Sequence, residues 1–147
     1  HRFKRERESS GYFGSADFGE HDILSELTFY SGRQFEVSIR PRYLYDYSKA
    51  DDLDVDMYGA RIAPAFGIAN RGRISADFSY YRVETNSDAF IPYLFAAGNR
   101  PGDNFNWSAS FNFKYNKNIT AQLKYSADKI PGLETRHRGS LSMRANF

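Results

Sequence analysis

The chain has 147 residues, room for one domain, and contains no cysteine, which excludes a disulfide framework and a thiolate metal centre. Its net charge of +2 comes from Lys, Arg, Asp and Glu scattered along the sequence, without the basic cluster that nucleic-acid binding requires. Aromatic residues make up 17%, nearly all Tyr and Phe, and no apolar run approaches the ~20 residues of a membrane helix. Residues 1–21 form a charged, irregular N-terminal segment that opens HRFKRERESS, and residues 2–13 hold at best a poor strand. The first clear strand is expected over residues 22–30, with Ile23, Ser25, Leu27 and Phe29 on one face. Turn chemistry at residues 31–34 leads into residues 35–47, where Phe35, Val37, Ile39, Pro41, Tyr43, Tyr45 and Tyr47 alternate with polar residues. Residues 48–56 read as an acidic loop. Residues 58–68 and 74–84 read as two further strands around a turn at 70–73, followed by a long loop over 85–104. Residues 105–115 alternate without a fault: Phe105, Trp107, Ala109, Phe111, Phe113 and Tyr115 take one side and Asn106, Ser108, Ser110, Asn112 and Lys114 the other. A tight turn at 116–118, a strand over 119–128 and a last strand over 139–147 complete the chain.

As assigned, with the apolar face of 74–84 taken through Ile74, Ala76, Phe78 and Tyr80, the apolar face of these strands carries no Asp, Glu, Lys or Arg. The opposite face carries Glu26, Glu36, Arg40, Arg42, Arg61, Asp77, Lys114, Lys124, Arg138 and Arg144. A lipid-facing surface excludes charge, since Arg or Lys at the bilayer midplane costs ~2–4 kcal/mol, and a sandwich core excludes it too. Loop length separates the two architectures. The connections alternate short and long, as periplasmic turns and outer loops do in outer-membrane barrels. Phe29, Phe35, Tyr115 and Phe147 then fall toward one interface, and Tyr43, Tyr45, Tyr47, Tyr58, Tyr80, Phe105 and Trp107 toward the other. The expected fold is all-β, an antiparallel transmembrane β-barrel of about eight strands or the C-terminal part of a larger barrel, with a soluble β-sandwich as the alternative. Two prolines, Pro41 and Pro64, sit inside strands and each removes a ladder donor.

The last strand places Gly139, Leu141, Met143, Ala145 and Phe147 on one face. An alternating strand with a glycine and a terminal Phe resembles the ending of bacterial outer-membrane β-barrel proteins. The resemblance implies an outer-membrane location with a periplasmic C-terminus, lipid as solvent, and recognition of this strand by the barrel-assembly machinery. Residues 61–147 are also similar to the C-terminal region of long envelope proteins of Bacteroidota. That similarity rests on Ile91-Pro92-Tyr93, Gly98-Asn99-Arg100-Pro101-Gly102 and Trp107. The start at His1, with neither Met nor an apolar leader, is expected of an exported chain whose leader has been removed or of a piece of a longer protein.

Candidate chemistry is sparse. In a small barrel Glu36, Arg40, Arg42, Arg61, Asp77 and Lys124 form a paired lumen network, and in a wider one they line a channel. Asp51, Asp52, Asp54 and Asp56 are the densest oxygen donors for a metal, but Met57 and Ala63 occupy the Gly and Glu positions of a Ca²⁺ hand, so a solvated loop is the preferred reading. His137 and Ser140 invite an outer-membrane lipid hydrolase, yet their spacing puts them on opposite faces of a strand. Phe90, Ile91, Tyr93, Leu94 and Phe95 are unusually apolar for an outer loop and mark a partner surface or an inward plug. The expected role is non-enzymatic and without cofactor: a structural, anchoring or transport-related membrane component working with other envelope proteins, with no nucleic-acid partner.

Overall fold

The computed structural model describes residues 7–9, 18–32, 34–49, 52–68, 71–86, 95–116 and 118–145. The period-two sequence becomes one antiparallel sheet of nine strands. They are β1 (Arg7–Ser9), β2 (Phe18–Leu24), β3 (Leu27–Ser31), β4 (Phe35–Ser48), β5 (Leu53–Ile68), β6 (Gly72–Thr85), β7 (Gly102–Lys114), β8 (Ile119–Lys129) and β9 (Arg136–Ala145). Both β2 and β3 pair with β4, so the sheet is otherwise a meander in chain order. Among the described residues no ladder joins β1 to β9, and the sheet is open.

The expected acidic loop over 48–56 is corrected. β5 starts at Leu53, ahead of the expected Tyr58, because Leu53, Val55 and Met57 continue the alternation through the aspartates. The β4/β5 ladder accordingly runs unbroken from Phe35↔Phe66 to Ser48↔Leu53. The connection left between them, 49–52, is short, so the expected long and short alternation reduces to a single long connection, 86–101. The first strand also starts earlier than expected, at Phe18 instead of residue 22, so part of the segment read as irregular belongs to the sheet. Connections 32–34, 69–71 and 115–118 lie at one end of the sheet, the turn end. Those at 49–52, 86–101 and 130–135 lie at the other, the loop end.

The two prolines interrupt ladders without shifting them. Pro41 pairs with Ala60 in β5, and on its other side the neighbouring chain divides into β2 and β3 at Ser25 and Glu26. Leu24↔Arg42 and Leu27↔Ile39 keep one register across that break, and Ser25 N still donates to Pro41 O at 3.2 Å. Pro64 pairs with Val37 in β4, while the β5/β6 ladder has a gap between Ile62↔Phe78 and Ala65↔Ser75. Each proline costs one donor on one side, and no bulge is inserted.

The sheet has two unlike faces. The inner face receives loop residues Phe95 and Ala96, which are buried with Leu44, Leu53, Val55, Met57 and Val83 near the loop end. The chain reaches that position through a left-handed turn, Phe95–Gly98, with φ of 50° at Ala96, 51° at Ala97 and 81° at Gly98. Two non-glycine residues in this region are strained, and burial of Phe95 and Ala96 over the apolar end of the inner face offsets that strain. On the same face β5 and β6 approach closely at Gly59, where a Cβ would overlap the Tyr80 carbonyl oxygen. Among the described residues nothing covers the outer face in this way: Phe29, Phe35, Ile62, Phe66, Ile74, Phe78 and Leu123 are between 41% and 51% exposed.

Met57, fully buried beneath the loop, should be the most sensitive single position of this packing. Met57→Ala is expected to cost ~2–5 kcal/mol, the range for truncating a buried Met. Leu123→Ala, on the uncovered face, is expected to cost less than about 1 kcal/mol. The denaturation midpoints of the two variants, read under one condition, check the contrast.

Candidate functional site: a charged inner face capped by a loop

Because side chains alternate, the even-numbered residues of β4 and the odd-numbered residues of β5 and β6 share the inner face. Below the apolar cap this face is built from ion pairs. Arg42 donates from Nε and a terminal nitrogen to the two carboxylate oxygens of Asp22, at 2.9 and 3.0 Å. Arg40 donates to Glu26 at 2.7 Å, beside the ladder break that Pro41 causes. Arg61 donates from Nε to Asp77 at 2.5 Å. Arg73 reaches Glu36 at 3.0 Å across the width of β5, over positions held by the small residues Ala65 and Gly67. These small residues leave an open groove of about 340 Å³ whose polar lining includes Glu36, Arg40, Arg61, Arg73 and Asp77. The bidentate geometry of Arg42 and Asp22 makes that pair the strongest of the set.

Of the residues expected to form a network, Glu36, Arg40, Arg42, Arg61 and Asp77 all lie on this face, and each is in an ion pair. Only Arg61 and Asp77 pair within that group. Glu26, which the sequence places on the charged face but outside the expected network, and Asp22 and Arg73, which it does not single out, supply the other partners. Asp22 lies diagonal to Arg42 on the paired strand and Glu26 beside Arg40 at the ladder break, whereas Arg73 reaches Glu36 only across the intervening β5. Lys124 lies apart on β8, and no described carboxylate pairs with it.

At the loop end, the buried carboxylate of Asp46 holds the cap. Its Oδ2 accepts a hydrogen bond from the Ala96 backbone N–H at 2.6 Å, while Oδ1 has no partner among the described residues. The Asn99 side chain donates to the Ala96 carbonyl at 2.9 Å and lies 3.3 Å from the Met57 sulfur. Phe95 of the expected apolar loop therefore packs inward; Phe90, Ile91, Tyr93 and Leu94 lie outside the described residues.

The outer face carries a repeated polar contact near the loop end. Tyr43 donates to Asp56 at 2.5 Å, Tyr45 to Asp54 at 2.8 Å, Tyr58 to Glu84 at 3.0 Å and Tyr80 to Asp103 at 2.8 Å. Each hydroxyl reaches diagonally to the next strand, because the directly opposed residues are Tyr58, Asp56, Arg82 and Phe105 respectively. Asp54 and Asp56 are thus strand residues bound to tyrosines, not loop ligands; Asp52 sits in the turn before β5, and Asp51 lies outside the described residues. Among the described residues no group of three or more His, Asp or Glu side chains is arranged to hold a metal. His137 contacts the Tyr125 hydroxyl at 2.8 Å on the outer face, and Ser140 takes the inner face. Gly139, Leu141, Met143 and Ala145 share the outer face of β9, where Leu141 is 70% and Met143 72% exposed; Phe147 lies outside the described residues.

Comparison with family models, curated proteins and solved structures returns no match. The geometry therefore stands on its own: a charged, ion-paired inner surface with one end closed by a tethered loop. Removing the tether should release the cap while leaving the sheet intact. Asp46→Ala is expected to speed proteolysis of the 86–101 connection several-fold, because the Ala96 N–H loses its buried acceptor. Asp46→Asn, which keeps an acceptor oxygen, should stay near the wild-type rate. Limited proteolysis with mass-spectrometric mapping of the cuts checks both.

Proposed function

We propose that the chain is a component of a bacterial outer membrane, with a structural, anchoring or transport-related role beside other envelope proteins. Its sheet would form an antiparallel transmembrane β-barrel or the C-terminal part of a larger one. One observation carries this proposal, the inversion of polarity between the faces. The side that bears the covering loop holds the ion pairs of Arg40, Arg42, Arg61 and Arg73, and the uncovered side, apart from Arg82 with Glu84 at its loop end, holds Phe35, Ile62, Phe66, Ile74, Phe78 and Leu123. A soluble β-sandwich would place a second layer against the apolar face. Among the described residues the chain supplies one sheet, and its only covering segment packs on the other side.

The dimensions agree with a bilayer. On β5 the outer face stays free of charge from Tyr58 to Ile68. Ten steps of about 3.3 Å, inclined at the ~40° usual in barrels, span roughly 25 Å, the height of an outer-membrane apolar band. The tyrosine and carboxylate contacts cross one border of that band, with each ring in the apolar zone and each hydroxyl toward water, as interfacial aromatics require. The turn end would face the periplasm, and the exposed outer face of β9 would be presented to the assembly machinery. The open edges must then be met, by closure on the chain's own N-terminal strand or by further strands, because lipid offers no partner to a free strand edge.

The chain should require detergent for solubility and show heat-modifiable migration on gels. Elution as a compact monomer from plain buffer, with the sheet intact by circular dichroism, would contradict the proposal.

A further inference from the structure

We infer that the inner face of β7, β8 and β9 is a binding surface for small, multiply charged anions of the phosphate class; the inference rests on the proposed barrel only for where this surface points. The inner face is electrically uneven. On β4, β5 and β6 each arginine has its own carboxylate: Arg40 with Glu26, Arg42 with Asp22, Arg61 with Asp77 and Arg73 with Glu36. On the inner positions of β7 to β9, Lys114, Lys124, Arg136, Arg138 and Arg144 meet one carboxylate, Asp128. Asp128 is shared by Arg136 and Arg138, both at 3.7 Å, too long for a hydrogen bond. No described carboxylate pairs with Lys114, Lys124 or Arg144.

The cations stand in a hydroxyl lattice fixed by the ladders. Lys124 lies between Ser110 and Ser140 in register, and Arg138 follows Ser126 and Ser108 in the adjacent row. These six residues line an open groove of about 500 Å³. Same-face neighbours in adjacent rows lie within ~7–8 Å diagonally, so one ligand with two or three negative groups can engage both cations. Guanidinium and ammonium groups beside short hydroxyls are the donors that recognise phosphate and its oligomers. The inner positions of these three strands hold no aromatic residue, so there is no platform on which a sugar ring or a base could stack. That absence favours a compact anion over a glycan or a nucleotide.

The test is titration calorimetry with inorganic tripolyphosphate on the folded chain, in whichever medium keeps it in solution. Loss of the barrel proposal, read from detergent dependence, therefore leaves this measurement standing. Wild type should bind saturably, with an affinity that falls as salt rises. Lys124→Gln should weaken binding about ten-fold, equivalent to ~1.4 kcal/mol. Lys129→Gln removes the same charge from the outer face of the same strand and should leave binding within two-fold of wild type. Sheet content by circular dichroism confirms folding of each variant. Equal weakening by both variants, or no saturable binding by folded wild type, overturns the inference.

Discussion

A slip of one residue between β4 and β5 would place Ile62 where Arg61 now meets Asp77, and would turn Met57 from under the loop to the uncovered face. Register is the constraint on which the other features depend, because a period of two gives each residue only one of two surfaces. The chain fixes register by length. The β4/β5 ladder extends along the whole of β4, and the ladders from β5 to β9 are nearly as long. The two prolines test that rigidity: each removes a donor, and in both places the pairing resumes in phase. Long ladders also allow charges to be distant in sequence and adjacent in space, as in the pairing of Arg73 with Glu36 across β5.

The same register separates the sheet along its length. Near the loop end the inner face is apolar and covered by Phe95 and Ala96; farther down it is ionic and open. On the outer face the order is reversed, with carboxylates at the loop end and an apolar surface toward the turn end. The tyrosines mark that transition on three successive strands, and their diagonal reach to Asp54, Asp56, Glu84 and Asp103 repeats in one direction across the sheet. A repeated diagonal of this kind is what a staggered sheet produces when each strand is offset along the next. In the proposed orientation this border is the outer water interface, the capped groove lies beneath it, and the cationic third of the inner face forms one wall of the interior.

Much of the strand order was legible in the sequence, because six of the strands alternate over ten residues or more and alternation survives any tertiary context. Residues 53–57 were misread for a definite reason. Their aspartates look like loop chemistry, while Leu53, Val55 and Met57 between them keep a strict period of two, and burial decided for the strand. The charged inner residues could be placed on one face, Glu26 among them, yet their pairing depends on stagger between strands, which composition does not encode, and Asp22 and Arg73 do not stand out for that reason. The inward seat of Phe95 was less accessible still. It depends on a left-handed turn at two alanines and on the buried acceptor of Asp46, neither of which has a signature in the sequence. The apolar character of the loop was visible, and its destination was not.

The central claim is that the uncovered apolar face lies against lipid and the ion-paired face does not. Nitroxide labels placed singly along β5 and β6, from residue 60 to 66 and from 74 to 80, measure this directly after reconstitution in bilayers. Collision rates with oxygen and with a water-soluble nickel complex should alternate with a period of two and in opposite phase. Oxygen should dominate at Ile62, Phe66, Ile74 and Phe78, the exposed apolar positions of these strands. Nickel access at those four positions equal to that at Ala63 and Ser75, or a loss of alternation, would contradict the account.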